Sequence, residues 1–466
     1  MADPVVAALH QWLEAHEAEL VEDTRTVLRF ASIESEALPN APYGAENRAA
    51  LDFVLDKAQQ WGMKTTDLEG HLGYAEFGTG DRLVMSLGHL DVVPVGPGWK
   101  YPPFGAEIDN GYIYSRGATD DKGPTMAAFY AMRAIKEVVP DIACRLRIAF
   151  GCDEESGFGC VARYMETEEA PTFGVAPDSG WPLYHAEKGI ADFVVSRSLP
   201  KGDMELVSME GGQRPNIVID SCKATVKVAA SVRAEVEEKV RGKWDANVEA
   251  HFEGDLLHIT TRGKAAHGST PFMGDNAATR AFRFMVEIAP FTVREAYEEL
   301  LLSCHSSGAG IGIAGQDEVS KDLTSNLGIV WVEGGRLQML FNIRYCVTWT
   351  GEHLLSLCQN YLKTLHGDFE VRVDRDSKPL YFPLEHPLVK AVCEVYTAET
   401  GDVRAPGVMG GGTYARAIPN CVSIGTSWDG DGLAHETDER VAITSLHRAA
   451  KIYAHLFYRL ATMPTE

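Results

Sequence analysis

Apolar side chains recur at helical spacing near the start of the chain, at Val5, Leu9, Leu13, Leu20, Val27 and Leu28. That period predicts an amphipathic helical opening over residues 5–30. Residues 47–61 predict a second helix, ended by Gly62. A different pattern follows, in which short apolar runs each lead into a polar, glycine-rich loop. Leu83–Leu87 precedes Gly88-His89, Leu146–Phe150 precedes Gly151-Cys-Asp-Glu-Glu155, and Thr172–Ala176 precedes Pro177-Asp178. Cys421–Ile424 precedes a loop that reaches His435. Between the first two runs, Pro124–Val138 predicts an amphipathic helix with proline near its start. Strands alternating with helices predict an α/β fold, a mixed sheet with a mostly parallel centre flanked by helices. Ligands of such sheets bind outside the carboxyl ends of the strands, where these polar loops converge.

The middle of the chain reads differently. Alternating strands such as Ala224–Val228 and Leu337–Ile343 mix with charged helical stretches such as Ala234–Val240. The motif Pro215-Asn216-Ile-Val-Ile219 is echoed by Ser325-Asn326-Leu-Gly-Ile329, a hint of two related halves. The prolines at 379, 383 and 387 mark a return to the first pattern. The expected organisation is a catalytic domain of residues 1–186 and 382–466, interrupted by an inserted α+β lid domain of residues 187–381. A chain of 466 residues is too long for one ordinary core, which suits two domains.

Composition narrows the function. Asp plus Glu (66) exceed Lys plus Arg (43), a net charge of -23 that repels phosphate backbones and argues against a nucleic-acid partner. No segment approaches the roughly 20 apolar residues of a membrane span. The first residues lack the basic start and apolar middle of a secretory signal, so a cytoplasmic protein without a membrane partner is expected. The nine cysteines include no C-x-x-C pair and are expected to be buried, reduced thiols.

The loops carry metal-site chemistry. Imidazole and carboxylate ligands suit zinc, and also manganese or cobalt. His89 sits in Gly88-His-Leu-Asp91, where Asp91 is placed to accept a bond from the other ring nitrogen and fix the tautomer. Asp120 and Asp121 lie just before a helix, where N-capping is the ordinary role; the functional reading makes Asp120 a ligand bridging two metals. Asp153-Glu154-Glu155 is flanked by glycines at 151, 157 and 159, which favour tight turns. Glu154 is assigned as general base and Glu155 as metal ligand. Three carboxylates (Asp120, Glu155, Asp178) and a hydroxide nearly balance two divalent ions, which avoids a bare buried charge.

Taken together, Gly88-His-Leu-Asp-Val-Val-Pro94, Arg116-Gly-Ala-Thr-Asp-Asp-Lys-Gly123, Asp153-Glu-Glu-Ser-Gly157 and His435 resemble, in order, a group of co-catalytic metallopeptidases. The group includes peptidase V dipeptidases, carnosinases, acetylornithine deacetylase, succinyl-diaminopimelate desuccinylase and glutamate carboxypeptidase. The resemblance implies one metal held by His89, Asp120 and Asp178, and a second held by Asp120, Glu155 and His435. It implies that Glu154 moves the proton and that the Asp120–Asp121 peptide is cis. Lys264-Ala-Ala-His267-Gly-Ser-Thr-Pro271 resembles the segment whose histidine stabilises the tetrahedral intermediate. The long insert and Gly410-Gly-Gly-Thr-Tyr-Ala-Arg416 are similar to the peptidase V branch, which implies a monomer. Arg344, with Asn216 and Gly411, is the candidate clamp for a substrate carboxylate. The expected activity is therefore metal-dependent hydrolysis of dipeptides with a free carboxylate. The alternatives are an N-acyl amino acid deacylase or desuccinylase, and a non-catalytic binding protein on the same scaffold.

Overall fold

The computed structural model describes residues 3–242 and 245–464. It divides into two compact units, one of Met1–His185, Phe382–Gly407 and Gly412–Glu466, the other of Ala186–Tyr381 and Val408–Gly411.

The first unit is organised by four parallel strands. Leu83–His89 pairs in parallel with Arg145–Gly151 on one side and with Phe173–Ser179 on the other, and Cys421–Gly425 adds beyond Phe173–Ser179. The strand Leu83–His89 is buried along its whole length, as expected of a parallel strand covered on both faces. Antiparallel strands extend this centre: Leu72–Phe77 and Lys64–Asp67 at one side, and Leu183–Glu187 at the other. The first strand's neighbours are reached in opposite directions, which makes the space beyond its carboxyl end a topological switch point.

The predicted helical opening forms two helices, Pro4–Ala15 and Glu17–Leu28, and the next helix spans Ala45–Gln60. The helix at Lys122–Val138 differs from its predicted amphipathic form. Its first thirteen or so positions are buried almost all round, from Lys122 to Ala131 without a break. It packs against both the Pro4–Ala15 helix and the closing helix Ile443–Thr462, so only its last turns reach the surface, at Arg133, Lys136 and Glu137.

The second unit is built on an eight-stranded antiparallel sheet. Its order is Val248–Glu253, Leu256–Arg262, Ser221–Val228, Met204–Gly211, Thr324–Glu333, Arg336–Tyr345, Gly189–Ser198 and Glu370–Ser377. One face packs on the helices Ala277–Ile288, Phe291–Ser303 and Gly351–Leu362 through residues such as Phe282, Tyr297, Leu337 and Phe341. The sheet falls into two sets of four strands, joined where Glu210 and Gly211 pair with Trp331 and Val330. The sequence echo does not mark that division. Asn216 lies in a loop between strands and Asn326 lies within a strand, so the two positions are not equivalent. Instead they pack together, with Asn326 Nδ2 donating to the carbonyls of Pro215 (2.8 Å) and Ile217 (3.1 Å).

No disulfide is formed among the described residues; eight cysteines are buried and Cys393 is half-buried. No helix among them is long and apolar enough to cross a membrane.

Candidate metal centre

The parallel register sets the site. His89 ends level with Gly151, and the loop after Gly151 delivers Asp153, Glu154 and Glu155 beside it. Ser86 pairs with Val175, which carries Asp178 to the level of His89. Asp178 lies inside its strand, which runs on to Ser179, and not in the loop after it as the sequence pattern suggested. Asp120 comes from the turn before the Lys122–Val138 helix, and the peptide between Asp120 and Asp121 is cis.

These loops bring donor atoms together. His89 Nε2 lies 3.0 Å from Asp120 Oδ1. His435 Nε2 lies 3.0 Å from both Asp120 Oδ2 and Glu155 Oε1. Ligand atoms of His89, Asp120 and Glu155 all fall within 4.8 Å of one another. Asp120 thus offers one oxygen to each imidazole. Metal–ligand bonds near 2.0–2.1 Å at tetrahedral angles leave donor atoms about 3.3 Å apart, so this spacing fits donors that share an ion.

The electrostatics support the same fit. Burial opposes a charge on His89, yet Asp120 and Asp91 lift its pKa well above the ordinary value. Hydrogen bonds to Asp120 and Glu155 carry His435 up to about 10. Burial raises Glu154, with Glu155, Asp120 and Asp91 adding to it against His89. Burial also raises Asp178, helped by Asp120, Glu154 and Asp121. A cluster that draws protons onto both its imidazoles and two of its carboxylates lacks positive charge, which divalent cations would supply.

The neighbouring acids divide other tasks. Asp91 was expected to accept from His89 Nδ1 with its carboxylate. Nδ1 lies nearer the Asp91 main-chain carbonyl (3.0 Å) than the carboxylate (3.5 Å). The carboxylate instead accepts from the main-chain N–H groups of Glu154 (3.1 Å) and Glu155 (3.0 Å). Asp91 therefore orients three site residues through one short loop. Asp153 accepts from the N–H groups of Gly157 and Gly159 and shapes the turn. Asp121 caps no helix N–H; it accepts from Thr125 Oγ1 (2.9 Å) and the His89 N–H (3.2 Å). A Cβ at Gly88 would collide with Thr125 and Asp121, which explains the small residue beside His89.

Within the second unit, the remaining candidates gather in their own group. A backbone N–H can only donate, so the bond from Ser269 N to His267 Nδ1 (3.2 Å) leaves the hydrogen of the neutral ring on Nε2. Burial and Arg344 lower the pKa of His267, which favours that neutral ring. The same turn recurs at His305–Ser307, so the turn by itself marks no function. The loop of Asn216 packs on that of His267 through Gly268 N–H to Asn216 O (2.7 Å). Arg344 is buried; Asn342 Oδ1 accepts from its Nε (3.0 Å) and the Gly410 carbonyl, next to Gly411, from its Nη1 (2.7 Å).

Two site residues escaped sequence reasoning in their roles. Arg116 lay in a quoted motif with no task assigned, and Glu439 lies four residues beyond His435 in an acidic run that resembles solvated loop. Both are buried and bonded to each other at 2.7 Å.

The comparisons agree with this geometry. The profile of Peptidase family M20/M25/M40 matches residues 85–459. The chain is 35% identical over 458 residues to "Putative dipeptidase YtjP" of Bacillus subtilis (strain 168), covering 95% of this chain and 97% of that protein. It is 33% identical over 465 residues to "Putative dipeptidase SH1171" of Staphylococcus haemolyticus (strain JCSC1435), covering 96% and 98%. Human carnosine dipeptidase 1 shares the fold at a TM-score of 0.55 and 15% identity, over 99% of this chain and 100% of that one. The YxeP protein of Bacillus subtilis, described as a dinuclear metal binding peptidase from the M20 family, aligns at a TM-score of 0.51 and 11% identity over 97% and 100%. An acid–imidazole cluster at the carboxyl edge of a parallel sheet and a profile match across most of the chain lead to one conclusion: this protein is a metallopeptidase of family M20/M25/M40.

Proposed function

We propose that the protein is a metal-dependent dipeptidase whose substrates carry a free C-terminal carboxylate. The observation that carries this reading is the set of His89, Asp120, Glu155 and His435 donor atoms at 3.0 Å, with the separate, half-buried carboxylate of Glu154 beside them. His89, Asp120 and Asp178 would hold one divalent cation, and Asp120, Glu155 and His435 the other, with zinc favoured and manganese or cobalt as substitutes. Two bound cations would act as Lewis acids and bring deprotonation of water toward neutral pH. Glu154 takes the proton from the attacking water and delivers it to the departing amine. Asp91 keeps Glu154 and Glu155 in register through their main-chain N–H groups. His267 donates Nε2–H to the oxygen that gains charge. Arg344, with Asn216 and the amide of Gly411, clamps the carboxylate. The dipeptidase names of the relatives at 31–35% identity favour peptides over acylated amino acids as substrates. Composition and the long second unit support a cytoplasmic monomer, a reading that size-exclusion chromatography checks.

The test is a substrate panel with metal removed and restored. Dipeptides are expected to turn over, N-acetyl and N-succinyl amino acids to lag, and chelation to abolish turnover until zinc, manganese or cobalt is returned. Turnover of the acylated compounds alone would move the assignment to a deacylase.

The carboxylate clamp has its own measurement. Charge-assisted hydrogen bonds contribute about 1.5–3 kcal/mol, so Arg344→Met is expected to raise KM for a dipeptide about 10- to 100-fold. The same variant should barely change KM for the dipeptide amide. Equal losses on acid and amide would remove Arg344 from substrate binding.

A further inference from the structure

The Asp120 turn and the His435 loop lie far apart in sequence, yet one buried ion pair joins them. Arg116 Nη1 donates to Glu439 Oε2 at 2.7 Å, and the two residues are only 2% and 1% exposed. The other oxygen, Glu439 Oε1, accepts from Thr119 N–H (2.9 Å), Thr119 Oγ1 (3.1 Å) and the main-chain N–H of Asp120 (3.2 Å). From the other end, Arg116 donates to the carbonyls of His435 (3.3 Å) and Glu436 (3.2 Å). The guanidinium also lies over the Trp99 ring, 5.2 Å from its centroid, which holds its plane.

A buried ion pair is a poor source of net stability, because desolvation cancels much of the attraction. This pair does something an apolar pair would not, since its bonds end on the main chain of two residues that meet in the cluster. His435 needs such a hold. Its side chain is half-exposed and its φ is +65°, so packing around the ring does little to fix it. Metal sites tolerate distance errors of only about 0.2 Å.

We propose that Arg116 and Glu439 are positioning residues, a clasp that sets the spacing of Asp120 and His435 so that both reach one divalent cation. The proposal rests on the ligand roles assigned above to Asp120 and His435. Partners of metal ligands typically contribute 10- to 100-fold to metal affinity, which is the effect expected here.

The experiment measures zinc affinity by competition with a chromophoric chelator, for the wild-type chain, Glu439→Gln and Arg116→Lys. Far-ultraviolet circular dichroism and thermal melting of each metal-free protein accompany it. Glu439→Gln, which leaves the Arg116 charge buried without its partner, is expected to lower the metal-free melting temperature and Arg116→Lys to lower it less, and both are expected to bind zinc about 10- to 100-fold more weakly. Wild-type zinc affinity in both variants overturns the clasp. A lower melting temperature with unchanged zinc affinity overturns it too, because the pair would then serve only the fold. Should Glu439→Gln fail to fold, Arg116→Lys, which keeps the charge but loses the fork to His435, decides alone. A wild-type chain that takes up no zinc, manganese or cobalt would sink the ligand assignments themselves, a result distinct from wild-type uptake unchanged in the variants.

Discussion

Glu154→Ala is expected to lower kcat for dipeptides by about 100- to 10,000-fold, the range contributed by a positioned general acid–base. Metal content should stay at the wild-type level, because Glu154 offers no donor atom to the gathered set of His89, Asp120 and Glu155. KM should change little. The pairing of lost turnover with retained metal separates proton transfer from metal binding. Glu154→Asp, with a shorter reach to the same proton, should fall between the two. Steady-state kinetics alongside metal analysis checks both statements, and a fully active Glu154→Ala protein would end the assignment. The structural reason for expecting a large effect is the burial of this carboxylate, which raises its pKa before any cation is present.

Asp120→Ala is expected to remove both metals together. Its two oxygens face different imidazoles, Oδ1 toward His89 and Oδ2 toward His435. Each half of the donor set therefore loses a ligand at once, and the remaining carboxylates lose the charge that would balance the second ion. Metal analysis should fall toward zero equivalents, and dipeptide turnover should fall to background. Thermal melting supplies an independent measure. A ligand at 100 times its dissociation constant stabilises a fold by about 2.7 kcal/mol. The wild-type chain should therefore melt higher with added zinc, whereas Asp120→Ala should show no such rise. A variant that still held two equivalents of metal would remove Asp120 from the bridging position. The neighbouring Asp121 makes a useful contrast. Its carboxylate bonds Thr125 and the His89 main chain and belongs to no donor pair at the cluster, so its removal should weaken metal binding without abolishing it.

The alternation of buried strands and polar loops showed where the donors converge, because a parallel strand buries all its side chains and only the residues at its end meet solvent. The loops that bring these donor atoms together were legible for that reason. What was hidden depends on partners distant in sequence. Asp91 looked like the orienting group of His89, yet its oxygens meet two N–H groups more than sixty positions away. Glu439 sits among Glu436, Asp438 and Arg440, and nothing local distinguishes a buried acid from solvated ones. The Pro124–Val138 stretch read as an amphipathic helix; most of the Lys122–Val138 helix is buried because helices cover it as well as the sheet. Asn216 and Asn326 looked like copies and are partners. Gly411 looked like a part of the first domain's loop and groups with the second unit.

The division of the first unit by the second has a consequence for biosynthesis. A ribosome delivers His89, Asp120, Glu155 and Asp178 early, then all of Ala186–Tyr381, and only afterwards the strand Cys421–Gly425 and His435. A nascent chain therefore carries a cluster of acids with one imidazole and an unfinished sheet until residues 421–435 have been added. A cut before Cys421 would take His435, its Glu439 anchor and a central strand together. Such fragments should neither hold metal nor hydrolyse peptides, so activity appears only once synthesis has passed Glu439.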